Sequence, residues 1–585
     1  MKRDLNRLSR ESFDIAVVGG GILGSCVAWD AACRGMSTAL IEKGDFCSAT
    51  SANSLKIIHG GLRYLQHADI GRMRESIRER SILMRIAPHL VRPLPCLVPT
   101  WGAGKRSRMA MTLALAASDL VGLDRNRMAG GGGRLPPGRT VSRGELGRLA
   151  PGLDTRPFSG GALWHDCQVL NSERLVLSFL HSADRAGAAL ANHAEATGFL
   201  GGPGKVEGLK VRDALTGEEF DLRARLVINA AGPWTRALLA RHEAFRHAPI
   251  PPFCKAWNVI TRPLGPDLGL GIPVRTQCAA DMSVTGNRVL RFLFIAPWRG
   301  VSTIGTAYAR HDGPPGEARI SEAEIGELLS GVNSLLPGSA LRLEDVRFVH
   351  AGLLPAEAGP ESGGGAGVSL TRKPAVLDHA RSHGIQGLIS AIGVKYTTAR
   401  GLAERTVDLA ILKAGRRPIP CRTASLLIHG ADVGDPEAFP RRVERENAGK
   451  APAAALRRLS ETYGSACGEV LPLLAGRPDL VAPLCPDSPA IMAEVVHAVR
   501  EEMALKLSDV LLRRSDVGSA GNPGEAAMKA AAAIMAAELA WTESRVRSEV
   551  EEAGEAYRFL PRHQNLNLKP TESESPERSN SSNPL

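Results

Sequence analysis

The sequence predicts an α/β fold in several domains: a strand–turn–helix–strand opening of Rossmann-like type, then an antiparallel-sheet domain, then an all-α C-terminal domain. Three observations carry this. Residues 14–44 alternate an apolar run, a glycine cluster, an Ala-rich helical stretch and a second apolar run, which is the order of a βαβ unit. Residues 256–306 break into short alternating segments, the mark of antiparallel strands. Beyond Pro420 the strand signals stop and helical patterning takes over. At 585 residues the chain is too long for one core, so several domains are expected.

The elements follow in order. Asp14–Val18 is a short apolar strand, Ile22–Arg34 a helix and Ser37–Ile41 a second strand. Helical patterning resumes over Ile70–Ala87 and stops at Pro88. Gly130–Gly133 and Pro136-Pro137-Gly138 mark a loop. Leu226–Ala231 reads as a buried strand ended by Gly232-Pro233, and Val289–Ala296 and Val301–Thr306 as antiparallel strands. Gly363–Gly367 is a flexible connector, Ile385–Ile392 a strand and Thr398–Ala414 a helix. Ala453–Leu474, Ala490–Leu512 and Gly524–Gly554 are helical, and Asn565–Leu585 is too polar to bury and reads as disordered.

Composition narrows the function classes. The ten cysteines are spread singly with no C-x-x-C pair, which argues against a zinc ribbon or redox dithiol and suits a reducing compartment. Met1–Arg10 is basic and polar, and no stretch of eighteen apolar residues occurs. The expectation is a cytoplasmic chain with neither secretory signal nor transmembrane helix, peripheral at most on the inner face of the cell membrane. A net charge of +11 fits nucleic acid, an anionic membrane face, an anionic substrate or simply an Arg-rich surface. With 4% aromatics and no nucleic-acid motif, nucleic acid is the weakest of these.

Gly19-Gly20-Gly21-Ile22-Leu23-Gly24 fits G-x-G-x-x-G between a strand and a helix, and Glu42 ends the next strand. Gly19 permits the tight turn, Gly21 lets backbone approach a pyrophosphate, and Gly24 lets helix and strand pack closely. The helix N-terminus offers free N–H groups to that pyrophosphate. Glu42 would accept hydrogen bonds from adenosine ribose hydroxyls and repel a 2′-phosphate, which disfavours NADP. After Glu42 a simple NAD domain would continue into helix and strand. Here a polar stretch, Ser48–Ile58, runs into His59-Gly60-Gly61-Leu62-Arg63-Tyr64, and Asn229-Ala230-Ala231-Gly232-Pro233-Trp234 resembles the returning strand-loop of flavoproteins with a two-dinucleotide-binding domain.

From Phe13 to Leu65 the chain resembles the FAD-dependent glycerol-3-phosphate dehydrogenase family. The strings are Glu42-Lys43-Gly44-Asp45-Phe46, then Lys56-Ile57-Ile58-His59-Gly60-Gly61-Leu62-Arg63-Tyr64-Leu65, then Ala87 to Pro95, Phe294 to Trp298, Ser302 to Thr306 and Gly393-Val394-Lys395-Tyr396-Thr397-Thr398-Ala399-Arg400. Arg500 to Ala504 and Asp509 to Arg514 resemble its C-terminal domain. The resemblance covers residues 12 to 560. It implies an FAD domain in two parts (12–235 and 371–415), an antiparallel substrate domain (236–370) and a helical domain (420–560), with a tail over 561–585. It also implies FAD as cofactor and hydride transfer from carbon 2 of sn-glycerol 3-phosphate to flavin N5, giving dihydroxyacetone phosphate. Electrons would leave to quinone or oxygen, and a homodimer is compatible. No metal is implied.

The same resemblance assigns residues. Gly19, Gly21, Gly24, Glu42, Lys43, Thr50, Ser51, His59, Gly60, Gly61, Ala231, Gly232, Trp234, Gly393 and Lys395 are the cofactor-binding candidates. His59, Arg63 and Lys395 are the catalytic candidates, and Arg63, Tyr64, Arg372, Lys395 and Thr397 line the substrate pocket. His59 is either the base for the hydroxyl proton, given an ordinary pKa of about 6.5, or a hydrogen-bonding support for the flavin. Arg63 is a phosphate ligand or a structural ion pair. Lys395 stabilises the reduced flavin or is a surface lysine. Arg372 is a phosphate contact or a loop arginine.

Two departures bear on the substrate. The family's Ala-Gly-Val-Arg-Pro string reads Ala351-Gly352-Leu353-Leu354-Pro355, and its Gly-Thr-Thr-Asp string reads Gly305-Thr306-Ala307-Tyr308. Losing a bidentate arginine would weaken phosphate binding by about 10- to 10³-fold. Arg299 or Arg372 would have to compensate, or the donor is a different secondary alcohol, hydroxy acid or amine. A flavoprotein scaffold without turnover is a third reading, against which His59, Arg63 and Lys395 argue. Glu494, His497 and Glu501 share a helix face at a metal-ligand spacing but read as a structural polar cluster. Lys105–Arg108 followed by Met109–Leu123 is a basic-then-apolar helix, either dipping into an anionic membrane or buried.

Overall fold

The computed structural model describes residues 1–130, 133–245, 248–265, 267–275, 290–357 and 370–558. The connector Gly363–Gly367 and the tail expected from Asn565 lie outside them. The described strands, numbered in chain order, form two sheets.

In the first sheet β1 (Ser12–Val18) lies between β2 (Thr38–Ile41) and β10 (Glu219–Asn229), all parallel. β7 (Ala189–Ala191) continues parallel beyond β2, and β17 (Leu388–Ile392) beyond β10. β16 (Ala375–Asp378) runs antiparallel on β17, and the antiparallel pair β8 (Ala194–Gly202) and β9 (Lys205–Asp213) extends from β10. β2 and β17 are buried throughout and β1 at all but Ser12, because helices cover the sheet; that is why these strands read as unbroken apolar runs. Helix Ile22–Cys33 packs between helices Ser172–Arg185 and Ala399–Lys413. Since β1 leads to β2 on one side and meets β10 on the other, the crevice beyond their C-terminal ends is a topological switch point, where such sheets bind ligands.

The second sheet runs β15–β11–β14–β13–β12–β4–β6–β3, with β5 paired to β6. Its later strands are β11 (Phe253–Thr261), β12 (Gly269–Arg275), β13 (Leu290–Trp298), β14 (Val301–Arg310) and β15 (Val346–Pro355). Four more come from before residue 170: β3 (Ile57–Ile58), β4 (Val91–Thr100), β5 (Arg139–Ser142) and β6 (Gly160–Val169). The stretch 12–235 therefore does not belong to the nucleotide domain alone. β4 carries Pro93, Pro95 and Pro99, which lack the N–H a ladder uses and hid the strand. β4 also joins β12 in parallel, so the sheet is mixed and not wholly antiparallel.

The C-terminal part is helical, including Ala453–Tyr463, Ala493–Glu501, Glu525–Leu539 and Glu543–Glu555. The helix expected over 490–512 breaks after Glu501: Glu502 is turned inward onto Arg174, and Met503 takes a left-handed conformation. A wide turn, Val510–Arg514, follows. One cluster of buried apolar side chains joins Trp257, Val259, Ile272 and Ile304 of the second sheet to Leu459, Val496, Leu511 and Met535 of the helices. The helical part thus shares a core with the sheet. No helix among the described residues is long and apolar enough to cross a membrane.

Candidate active site

At the C-terminal end of β1 the glycine turn is close-packed. Gly19 has φ +111°, and a Cβ on it would sit 2.6 Å from the Ala230 carbonyl oxygen. A Cβ on Gly24 would lie 1.9 Å from the Gly19 oxygen, so helix and strand meet only because residue 24 is glycine. Gly21 caps helix Ile22–Cys33, and the Ile22 N–H donates to Ser51 Oγ at 3.0 Å. Glu42 accepts from the Gly20 N–H at 2.7 Å (Oε2) and the Gly44 N–H at 3.0 Å (Oε1). Burial pushes its carboxyl up from the ordinary value, and those two donors oppose the push. From the neighbouring strand β10, Asn229 Oδ1 accepts from the Ala231 N–H at 3.2 Å, and Gly232 opens on free space. Trp234 lies under Lys43, whose Nζ is 3.7 Å from the ring centroid. Thr50 turns elsewhere: its hydroxyl donates to the Leu353 carbonyl at 3.0 Å and accepts the Leu353 N–H at 3.1 Å, tying this loop to β15. Glycines at blocked positions, a helix N-terminus and a strand-end carboxylate fit an ADP group.

The second part is built on the loop after β3. The Gly60 N–H donates to Asp166 Oδ1 at 2.6 Å, where Arg80 Nη1 also donates at 2.6 Å; Trp164 Nε1 donates to the other oxygen at 2.9 Å. Arg80 and Asp166 are both buried, and neither stood out in the sequence. The signal was a charged residue on the apolar face of helix Ile70–Ile86. Gly61 is left-handed at φ +81° and opens the 3-10 helix Leu62–His67 that presents Arg63 and Tyr64. Tyr64 is buried, and its hydroxyl has no hydrogen-bond partner among the described residues. Lys395 Nζ stands 4.0 Å from the Tyr64 ring centroid, Arg72 Cζ lies at 4.8 Å, and the His59 ring is edge-on at 6.3 Å.

Electrostatics ties this cluster together. Burial, then the Arg63 charge, pulls Lys395 down to about 8. Burial pulls His59 down to about 4, with Lys395, Arg63 and Arg80 adding to the drop and Asp166 opposing it. His59, Arg63, Tyr64 and Lys395 are therefore neighbours. Arg372 is exposed; its carbonyl accepts from Arg72 Nη1 at 3.2 Å, which lays that segment beside the Tyr64–Arg72 stack. Thr397 is buried, and a Cβ on Gly393 would meet the Leu23 and Leu402 side chains only at ordinary contact distance, 3.7 and 3.9 Å. Lys56, in the most family-specific string, is buried against Glu173 at 2.9 Å and holds the strand start.

The two departures share a face. On β11, Ala256 stands opposite Tyr308 and Gly352, and Cys254 opposite Leu354. Opposed residues and residues two apart point the same way. Gly352 packs on Thr50, so Tyr308 and Leu354 face the nucleotide domain. Arg299 does not compensate there: it pairs with Asp516 at 3.2 Å and donates to Thr462 at 3.3 Å, both in the helical domain. Glu494 is held by Arg458 and Tyr463 as a structural cluster.

A dinucleotide crevice at the switch point, facing a second sheet across a cluster of histidine, tyrosine and two cations, defines a flavin-dependent oxidoreductase. The family model "FAD dependent oxidoreductase" matches residues 14–409, and "C-terminal domain of alpha-glycerophosphate oxidase" matches 421–546. A glycerol-3-phosphate dehydrogenase of Synechocystis sp. is 32% identical over 560 residues, 94% of this chain and 97% of that one. One of Mycobacterium leprae is 32% identical over 551 residues, covering 93% and 88%. The glycerol-3-phosphate dehydrogenase from Bacillus halodurans, solved in complex with FAD, superposes with a TM-score of 0.74 at 24% identity, over 95% of this chain and 96% of that one. The chain belongs to the FAD-dependent glycerol-3-phosphate dehydrogenase family, and its cofactor is FAD.

Proposed function

We propose that the enzyme oxidises sn-glycerol 3-phosphate to dihydroxyacetone phosphate and passes the electrons to a quinone. The observation that carries this reading is the gathering of His59 and Lys395 around the Tyr64 ring, with the Arg63 charge close enough to act on both. Bound FAD would accept the hydride leaving carbon 2. Gly19, Gly21, Gly24, Ser51, Glu42, Lys43, Ala231, Gly232 and Trp234 would hold its adenosine and pyrophosphate; Gly60, Gly61 and Gly393 would border the rest, and Thr50 would act only by tying its loop to β15. Arg63 and Lys395 would receive the phosphate, with Arg372 at the rim and Thr397 behind. His59 would take the hydroxyl proton. A bound phosphate cancels the repulsion from Lys395 and Arg63, so the imidazole becomes more basic when substrate arrives. The unpartnered Tyr64 hydroxyl is a ready donor to a substrate oxygen.

Anaerobic addition of glycerol 3-phosphate should bleach the flavin band. Bleaching by another alcohol or an amine, but not by glycerol 3-phosphate, would sink the proposal. It would favour the second reading, a different donor, which Leu354 and Tyr308 on the inner face support.

Helix Arg108–Val121 supports the reading of acceptor and location. It exposes Met109 (75%), Leu113 (67%) and Leu120 (69%) to solvent, followed by Leu123 (77%). Lys105, Arg106 and Arg108 precede the stripe. An apolar stripe with cations at its head suits an anionic bilayer, where a quinone dissolves. The same helix packs on the 3-10 helix that carries Arg63 and Tyr64. Co-sedimentation with anionic liposomes at low salt is the expected outcome; a concentration-dependent dimer without liposome binding would assign the stripe to a second copy instead.

A further inference from the structure

Asp45 follows Glu42 by three residues, and its carboxylate is buried. Two arginines of the helical domain hold it. Arg514 grips it with both terminal nitrogens, Nη1 to Oδ2 at 2.5 Å and Nη2 to Oδ1 at 2.8 Å, and Arg513 Nε donates to the same Oδ2. The wide turn Val510–Arg514 brings adjacent arginines to one carboxylate. Arg513 also donates to Asp509 at 2.8 Å, whose second oxygen meets His193 Nε2 at 3.0 Å. The His193 N–H returns to the Gly44 carbonyl at 2.7 Å. Asn192 Nδ2 donates to both Asp45 Oδ1 and the Met503 carbonyl at 2.9 Å. The Glu42–Asp45 loop is therefore fastened on both flanks to residues 503–514.

The chemistry makes the fastening obligatory. Burial alone would raise the Asp45 carboxyl, but Arg514 and Arg513 outweigh it and hold the group well below the carboxylate range. A carboxylate left there without its arginines is an uncompensated buried charge, which the loop relieves by opening to water. Asp45, His193 and Asp509 lie close enough together to ligate a cation. The guanidinium groups already neutralise both carboxylates, so the cluster is an ion-pair lock.

We propose that Arg513 and Arg514 are positioning residues for the cofactor: the C-terminal domain sets FAD affinity by fixing the loop that carries Glu42. This rests on the assignment of Glu42 to the adenosine end of FAD. None of these contacts involves His59, Tyr64 or Lys395, so the donor's KM is unaffected once FAD saturates.

The test is a fluorescence titration of apoprotein with FAD. Arg514→Met and Asp45→Asn should weaken FAD binding by about tenfold or more, and Arg514→Lys should recover part of it. Arg299→Met, which breaks the separate contact with Asp516, should stay within about twofold of wild type. The donor's KM at saturating FAD should not move. Unchanged FAD affinity in Arg514→Met overturns the proposal; so does an equal loss in Arg299→Met, which would make general domain docking the cause. If Arg514→Met does not fold, Arg514→Lys and Asp45→Asn carry the test, and wild-type affinity in both overturns it. Glu42→Gln separates the two readings. If it leaves FAD affinity intact, the adenosine assignment fails and the lock with it; if it alone weakens binding, only the lock fails.

Discussion

At the scale of single residues, burial and like charge set the site's protonation. Lys395 is pulled down to about 8, so it is charged below that pH and loses its charge above it. A phosphate needs the cation, so kcat/KM should fall as pH rises through about 8, and Lys395→Arg should abolish that alkaline limb in a pH–rate profile. A limb that survives in Lys395→Arg belongs to another group. Tyr64 offers a sharper case. Its buried hydroxyl has no hydrogen-bond partner among the described residues, so Tyr64→Phe should leave the thermal midpoint unchanged or raised. If substrate takes that donor, kcat/KM drops by about tenfold; unaltered kinetics would remove Tyr64 from the pocket. At Leu354 the expectation reverses. Leu354→Arg should lower KM for glycerol 3-phosphate by about tenfold or more if the side chain reaches the phosphate, and leave it alone otherwise. The sequence named His59, Arg63, Tyr64 and Lys395, because short-range strings mark them. It missed Arg80 and Asp166, which meet only through the pairing of β4 with β6 and the packing of a distant helix.

At the scale of elements, legibility followed the locality of the signal. The glycine turn is a local device, and β1, helix Ile22–Cys33 and β2 fall where the sequence puts them. β4 does not read as a strand, since its three prolines contradict the usual pattern, and β3 has only two residues. Both depend on long-range partners that the sequence does not display. The turn also carries a firm prediction. Gly24→Ala places a methyl where the Gly19 oxygen already sits, so FAD should be lost on gel filtration while far-ultraviolet circular dichroism stays near native. Retained flavin would mean that the helix shifts to make room. Helix Arg108–Val121 gives the opposite kind of test: Met109, Leu113 and Leu120 are mostly exposed, so changing all three to Ser should cost little stability. Liposome binding should fall sharply, and undiminished binding would move the membrane contact elsewhere.

At the scale of the whole molecule, the second sheet and the helical domain are one apolar cluster. A chain ended at residue 420 would expose Trp257, Val259 and Ile304 to water, so it should aggregate on expression; a soluble monomer of that length would show that the shared core is dispensable. The first sheet closes late for a different reason. β10 ends at Asn229, and its parallel partner β17 begins only at Leu388. At a synthesis rate of about 5–20 residues per second, the bare edge of β10 waits roughly 8–30 s for the strand that covers it. An open parallel edge is a template for pairing with the wrong chain. The flavin crevice thus lacks one of its walls until about two-thirds of the 585-residue chain has been made.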